Sequence, residues 1–286
     1  MTGAYPLPPV ASGLEAVYLV AADEFRRAAR SRWVFVFAAS FAVLALGISY
    51  FGLAGSGEAG FQSFDRVTAS LLNLVLLWVP LASVLLATVR LSGSRESLAF
   101  YLAQPLARRD ALLGKYLGLV TALVLAQAVG FGGAGLLIAY AAGGEQAGGF
   151  AALVGLSVVL AAVFLGIGVA LAARWPERVQ ALGAGLVVWL AATVFYDLAA
   201  VGITSVVYGL PVRRILTVAV WLNPVDLSRV LATAALGSRA LFGPTGAAVG
   251  HFLTTPAGVV AAVASLAAWL AVPLVGGLVS FGRRDF

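Results

Sequence analysis

Residues 150–173 read FAALVGLSVVLAAVFLGIGVALAA, an unbroken run of 24 residues without a charged side chain. As an α-helix this run is about 36 Å long, which is enough to cross a hydrocarbon core of about 30 Å. A backbone group left without a hydrogen bond in lipid costs several kcal/mol, so a segment that crosses a bilayer is expected to be helical. The run therefore predicts a transmembrane helix.

Five further apolar runs of similar length are spread along the chain. Together with Phe150–Ala173 they predict an all-α polytopic membrane protein with six transmembrane helices. Strands are not expected, because a barrel would alternate polar and apolar residues in shorter segments. The fifth run is long enough to tilt or to project beyond the bilayer. The five runs are Trp33–Ala54, Val67–Val89, Tyr116–Ala142, Val179–Leu210 and Ala257–Phe281.

The composition supports a bilayer as the solvent. Only 10% of the residues are charged and 62% are hydrophobic, whereas about a quarter of a soluble domain is charged. The net charge of +6 lies near the ends of the spans, so no nucleic-acid partner is expected. The chain has no cysteine, its one methionine is Met1, and its single histidine is His251. We therefore expect neither a metal site nor a cofactor built from this chain.

The distribution of lysine and arginine predicts the orientation. If the amino terminus lies inside, 13 of the 18 basic residues fall on cytoplasmic segments, as the positive-inside rule requires. We therefore predict a multi-pass protein of the inner membrane with both termini in the cytoplasm.

Three segments organise the chain. Residues 1–13, rich in proline, glycine and alanine, predict a disordered tail, and residues 33–286 form the membrane domain. Residues 14–32 predict an amphipathic helix that lies in the cytoplasmic interface, with its arginines near lipid headgroups. This helix either serves as a docking site or only anchors the orientation. Its apolar positions are Leu14, Val17, Tyr18, Ala21, Phe25 and Ala28, while Asp23, Glu24, Arg26, Arg27 and Arg30 fall elsewhere.

The cytoplasmic connection at residues 91–115 is the most charged part of the chain after the amphipathic helix. It predicts a short helix, a break at Gln104-Pro105, and a second helix that opens with basic residues and runs into the third span. A segment made of two helices with a break between them is suited to transmit a force applied by another protein. The alternative is a solvated, positively charged loop.

The outer connection at residues 211–256 contains the short apolar run Ile215–Leu222, which is too short to cross and predicts an interfacial or re-entrant helix. Just before this connection, Asp197 lies inside the fifth run. An ionisable residue at membrane depth is a candidate functional residue. The alternative is a structural pair near the outer interface with Arg213, Arg214 or Tyr196.

No catalytic motif is present. The pair Gly114-Lys115 lacks the upstream glycine of a phosphate-binding loop, so any ATP hydrolysis must come from a partner. The sequence also lacks a nucleophile elbow and a metal-binding HExxH helix. We therefore predict a subunit that is not an enzyme.

Several segments resemble a known family, the ABC-2 type exporter permeases. Those that resemble the permeases of the nitrous-oxide reductase maturation transporter most closely are DEFRRAARSRW at 23–33, LAQPLARRDALLGKYLG at 102–118, VVWLAATVFYDLAAVG at 187–202, WLNPVDLSRV at 221–230 and SFGRRDF at 280–286. The resemblance covers nearly the whole chain from Leu14 onward.

This resemblance implies a type V exporter-like permease, in which an elbow helix precedes six spans and two copies pair with two ATPases. It implies a coupling helix that seats in a groove of the ATPase. It also implies a periplasmic copper-delivering protein on the outer loops and a role in supplying copper to nitrous-oxide reductase. The residues implied at the ATPase interface are Glu24, Arg95, Glu96, Tyr101, Gln104, Pro105 and Arg108.

Other functions remain open at the level of sequence. An ABC-2 exporter of a drug, lipid or glycan would have the same topology without a periplasmic partner. A structural membrane anchor would recruit a cytoplasmic protein through residues 91–118 without an ATPase. A secondary transporter coupled through Asp197 would need a denser set of buried ionisable residues than this chain offers.

Overall fold

The structure is a computed structural model, and it describes residues 13–54, 61–92, 107–142, 147–175, 177–206, 210–236 and 255–282. These residues are helical apart from caps and short turns. The predicted tail at residues 1–13 lies, except for Gly13, outside the described residues.

The helices agree with an all-α membrane protein. Within the described residues, six helical stretches are long and apolar enough to cross a membrane, which confirms the predicted architecture. The first four spans belong to α2 (Arg32–Ala54), α3 (Phe61–Leu91), α4 (Arg108–Ala142) and α5 (Ala147–Arg174). The fifth comprises α6 (Arg178–Leu190), a π-helical segment (Ala191–Phe195) and α7 (Tyr196–Val206), and the sixth is α10 (Pro256–Gly282).

Three helices lie outside the spans. They are α1 (Leu14–Ala29), α8 (Leu210–Leu222) and α9 (Pro224–Ala235). Residues 215–222 and α9 meet at a bend of 103°. At 1.5 Å per residue, 215–222 is only about 12 Å long and α9 about 18 Å, so neither crosses the hydrocarbon core alone.

Some helix boundaries in the structure differ from the predicted ones. The third span begins at Arg108 instead of Tyr116, because the basic stretch after Ala107 continues directly into the helix. The predicted fifth run is interrupted at the π-helical segment, and its last residue, Leu210, belongs to α8. The amphipathic helix ends at Ala29, three residues before the predicted end at Arg32, because a turn at Arg30 separates it from α2.

Close approach of helices builds the core. The helix α4 packs along α2, and α5 packs against both α3 and α10. Phe41 of α2 and Phe131 of α4 meet edge to face with ring centroids 5.1 Å apart. A Cβ at Gly130 would lie 2.6 Å from the ring of Phe41, so this glycine is needed for the contact. Small residues of this kind bring membrane helices together where the hydrophobic effect cannot.

The direction of the spans defines two faces of the protein. Successive spans run in opposite directions, so α1, the carboxyl end of α3 and the start of α4 lie at one face, here called the elbow face. The far end of the fifth span lies at the opposite face, where α8 and α9 pack. A second apolar cluster holds them there, formed by Val220, Leu227, Val230, Ala262 and Leu266.

Candidate functional site

The elbow helix α1 lies directly on α4 at two glycines. A Cβ at Gly114 would lie 2.8 Å from the carbonyl oxygen of Val17, and one at Gly118 would lie 2.6 Å from that of Ala21. Both distances are too short for a real carbon atom. Glycines four residues apart occupy one helix face, so together they form the groove in which α1 sits.

Glu24 points into this contact. Its side chain is only 6% exposed, and its Oε1 accepts hydrogen bonds from Nε and Nη2 of Arg90 at 2.9 and 2.7 Å. Lys115, which is also buried, interacts electrostatically with both residues. An ionised carboxylate can be buried here because two cations compensate its charge.

The apolar spacing predicts that Glu24 lies outside the buried stripe of the amphipathic helix, and this prediction is wrong. The buried residues of α1 are Ala16, Val17, Val20, Glu24 and Ala28, while Leu14 and Tyr18 are 88% and 71% exposed. The buried stripe is rotated from the predicted one because Arg90 supplies a partner for Glu24. Apolar spacing alone does not reveal a buried carboxylate whose partner lies 66 residues away.

Glu24, Arg90 and Lys115, here called the elbow junction, flank the predicted coupling segment. Arg90 lies in the last turn of α3, and Lys115 lies two turns into α4. Arg108 is the first residue of α4 and is partly buried. Of the residues implied at the ATPase interface, Arg95, Glu96, Tyr101, Gln104 and Pro105 lie outside the described residues. The elbow junction thus joins the two helices that enter and leave the coupling segment.

A second charged cluster lies at the opposite face. Arg229 binds Asp197 through Nη1 and Nη2 at 2.9 and 2.7 Å, and its Nη1 also binds Asp226 at 2.8 Å. The side chain of Asp226 is 1% exposed and that of Asp197 is 40% exposed. One arginine therefore joins two carboxylates, one inside the protein and one near its surface. This set is called the Arg229 cluster.

Arg229, which binds Asp197, is not among the partners that the sequence suggests. The bend between α8 and α9 brings Arg229 back to the fifth span. Asn223 makes this bend. Its Oδ1 accepts a hydrogen bond from the backbone N–H of Val225, which caps α9, and Pro224 follows as the first helical residue.

The π-helical segment next to Asp197 provides an anchor for the bend. Nδ2 of Asn223 donates to the backbone carbonyl of Ala192 at 2.7 Å. A wide turn of this kind disturbs the regular i to i+4 hydrogen bonding, so a carbonyl becomes available to a side chain. The hydroxyl of Tyr196 donates to the carbonyl of Ala219 in α8. The fifth span, α8 and α9 are thereby connected through polar contacts.

The described residues contain no group of three or more histidine, aspartate or glutamate side chains that could hold a metal ion. His251, the only histidine, lies outside them. The ion pairs Glu24–Arg90 and Asp197–Arg229 make each charged cluster a junction between helices. One lies beside the predicted coupling segment, and the other lies at the far face.

Comparison with known proteins agrees with this architecture. The family described as "ABC-2 family transporter protein" matches residues 18–286. A Pseudomonas aeruginosa protein named "Probable ABC transporter permease protein NosY" is 36% identical over 221 residues, covering 75% of this chain and 80% of that protein. A Stutzerimonas stutzeri protein of the same name is 33% identical over 275 residues, covering 94% of this chain and 98% of that protein.

Proposed function

This chain belongs to the ABC-2 family of transporter proteins, and we propose that it supports maturation of the copper sites of nitrous-oxide reductase. It is a permease subunit, a non-catalytic membrane component of an ABC transporter, and its family implies a partner ATPase subunit. The observation that carries the maturation role is the similarity to two proteins named NosY, one of them matched over 98% of its length. The segments quoted from the sequence support the same role.

The proposed mechanism starts at the coupling segment. A cytoplasmic ATPase binds residues 93–106 and the start of α4 through Arg95, Glu96, Tyr101, Gln104, Pro105 and Arg108. ATP-driven closure pushes on this segment, which is continuous with the ends of α3 and α4. Because Glu24 binds Arg90 and α1 sits on Gly114 and Gly118, the elbow helix moves together with these two helices. Glu24 thus contributes to the ATPase interface indirectly, by holding the ends of α3 and α4 in position from within the membrane subunit.

Packing offers a route to the opposite face. The helix α3 packs along α5, and α5 in turn contacts α9, which carries Asp226 and Arg229. Rigid helices that share such contacts can transmit a displacement from one face to the other. The Arg229 cluster would then set the position of α8 and α9, on which a periplasmic copper-delivering protein docks. In this proposal Asp197 is part of the ion-pair contact between the fifth span and α9 that shifts when these helices move.

Copper itself has few possible ligands in this chain. Soft thiolate and thioether ligands bind Cu(I), and the chain has no cysteine and only Met1. We therefore propose that this subunit transmits motion to the periplasmic partner, with a second copy of the chain completing the transporter. Both termini lie in the cytoplasm in this arrangement.

Complementation tests the proposal. Nitrous-oxide reductase is purified from cells that lack this chain, and its copper content is measured after complementation with wild type or with the double variant Gln104→Ala/Arg108→Glu. We expect copper-depleted reductase without the chain, full copper with wild type, and depleted enzyme with the variant. A fully loaded reductase in cells without the chain would refute the maturation role. In that case an exporter of a drug, lipid or glycan becomes the better account.

A further inference from the structure

An apolar groove that is open at the protein surface lies between the first two spans. It is lined from α2 by positions 33, 34, 36, 37 and 40 and from α3 by positions 78, 81, 82, 85 and 86, with Leu123 of α4 also in its wall. Positions 33, 36, 37 and 40 and positions 78, 81, 82 and 85 each follow the i, i+3, i+4, i+7 spacing of one helix face, and positions 34 and 86 adjoin these two stripes. The hydroxyl of Ser40 donates to the carbonyl of Val36 at 2.6 Å, so its proton is used within its own helix.

The groove begins at the elbow face. Trp33 is the second residue of α2, and the stripe from Trp33 to Ser40 extends about 10 Å toward the middle of the bilayer. Trp33 is 58% exposed and Val36 is 61% exposed, so the groove opens at the surface of the protein. The groove runs parallel to the spans, which is the direction of a hydrocarbon chain in a bilayer, and its length matches the first part of such a chain next to the headgroup.

Two arginines precede Trp33 in the chain, at the end of the groove that lies on the elbow face. Arg32 immediately precedes Trp33, Arg30 lies in the turn between α1 and α2, and both are exposed. Within the part of the chain that the structure describes, neither forms an ion pair. The two nearby carboxylates already have partners, since Asp23 binds Arg27 at 2.9 Å and Glu24 binds Arg90.

We propose that this groove binds one acyl chain of an anionic phospholipid, whose phosphate is held by Arg30 and Arg32. Basic residues next to a span attract anionic lipid headgroups, and tryptophan is enriched at the boundary between headgroups and hydrocarbon. The site thus offers a cationic mouth, an indole at the boundary and an apolar channel in the order of the parts of a phospholipid. This inference does not depend on what the transporter carries.

A second copy of the chain fits the groove less well. In a two-fold dimer whose axis is parallel to the membrane normal, equivalent residues lie at the same height. If the two grooves faced each other, Arg30 and Arg32 of one copy would approach the same residues of its partner. Like charges at such an interface repel each other, whereas a lipid phosphate neutralises them.

Thermal unfolding of the full-length protein in mild detergent tests the proposal. Phosphatidylglycerol is titrated against phosphatidylcholine with the same acyl chains. We expect the melting temperature to rise with phosphatidylglycerol only, and glycerol phosphate without acyl chains to have no effect. In Arg30→Gln/Arg32→Gln the apparent affinity should fall roughly thirtyfold, as the loss of two contacts with an anionic headgroup implies. Ala82→Leu, which fills the groove, should abolish the response.

Matched controls separate the site from general effects. Arg178→Gln removes an exposed arginine from the elbow face away from the groove, and Ala39→Leu enlarges an exposed residue of α2 that does not line it. Both variants should respond like wild type. Equal responses to the two lipids, or the same loss in the controls, would overturn the proposal.

A crosslinking experiment examines the competing occupant. Because the chain has no cysteine, Val36→Cys introduces a single thiol at the groove. Oxidation in native membranes should leave this variant monomeric on a denaturing gel. A disulfide-linked dimer would mean that a second copy covers the groove, and the lipid proposal would be wrong.

Discussion

Glu24 of the elbow helix and Arg90 at the end of the second span are joined by two hydrogen bonds of 2.9 and 2.7 Å, although 66 residues separate them in the sequence. The pair lies on the protein side of the elbow helix, next to Lys115. It therefore joins three helices at the point where the predicted coupling segment leaves and re-enters the membrane domain.

Removal of the Glu24 carboxylate should destabilise the protein. The variant Glu24→Ala leaves Arg90 and Lys115 without their shared anion, and loss of one partner of a buried pair costs about 3 kcal/mol or more. Thermal unfolding in detergent measures the loss. Asp23→Asn is the matched control, because Asp23 pairs with Arg27 at the surface, where such pairs contribute about 1 kcal/mol or less. Equal effects of the two substitutions would contradict the assigned role of Glu24.

Enlargement of Gly118 should displace the elbow helix. A leucine there would overlap the backbone of α1 near Ala21, and overpacking of this kind costs about 1 to 3 kcal/mol. Thermal unfolding should show this loss of stability. ATP hydrolysis by the complete transporter should become uncoupled from the movement of the membrane subunit. Gly132→Leu on the same helix is the control, since no atom lies within 4 Å of a Cβ at that position. If both variants behave like wild type, α1 does not depend on the glycine groove.

The Arg229 cluster should respond unequally to loss of its members. Arg229→Met leaves the carboxylate of Asp226, which is 1% exposed, without its arginine and should cost about 3 to 5 kcal/mol. Asp197→Asn keeps the pair between Arg229 and Asp226 and removes the charge of a side chain that is 40% exposed, so it should cost about 1 kcal/mol or less. Unfolding of both variants in detergent measures this difference. An Asp197→Asn protein that is stable but inactive would assign Asp197 a functional role.

The orientation can be measured with single cysteines, because the chain contains none. Arg178→Cys lies at the start of α6 on the elbow face, and Ala147→Cys lies at the start of α5 on the opposite face; both positions are exposed. With the elbow face in the cytoplasm, a membrane-impermeant maleimide should label Ala147→Cys in intact cells and Arg178→Cys only after the membrane is permeabilised. The reverse pattern would place the elbow face outside and exclude a cytoplasmic ATPase on it.

Composition alone predicts the six spans, because apolar runs of this length have few alternatives in a chain with so few charges. The start of the third span differs, since residues 108–115 are basic and still helical. Hydropathy indicates the solvent around a helix and does not indicate at which residue the helix begins. Likewise the π-helical segment at Ala191–Phe195 changes hydrogen bonding without any change in hydrophobicity.

The charged clusters were only partly predictable. Asp197 is recognisable in the sequence because ionisable residues are rare in spans, but its partner depends on a bend that Asn223 and Pro224 create 26 residues later. The stretch WLNPVDLSRV does contain a signal, since Asn-Pro followed by an acidic residue is typical of a helix start. For Glu24 the signal is weaker, because a carboxylate within an amphipathic helix is normally expected to face water.

Co-purification of the protein from its native membrane in mild detergent, with an ATPase assay on the product, tests the central claim most directly. The account predicts that a cytoplasmic ATPase is recovered together with a periplasmic copper-delivering protein, and that Gln104→Ala/Arg108→Glu loses the ATPase. Recovery of the ATPase alone would leave a general exporter as the better account. If no ATPase is recovered under conditions that preserve other ABC transporters, the proposed coupling of ATP hydrolysis through residues 91–115 is wrong.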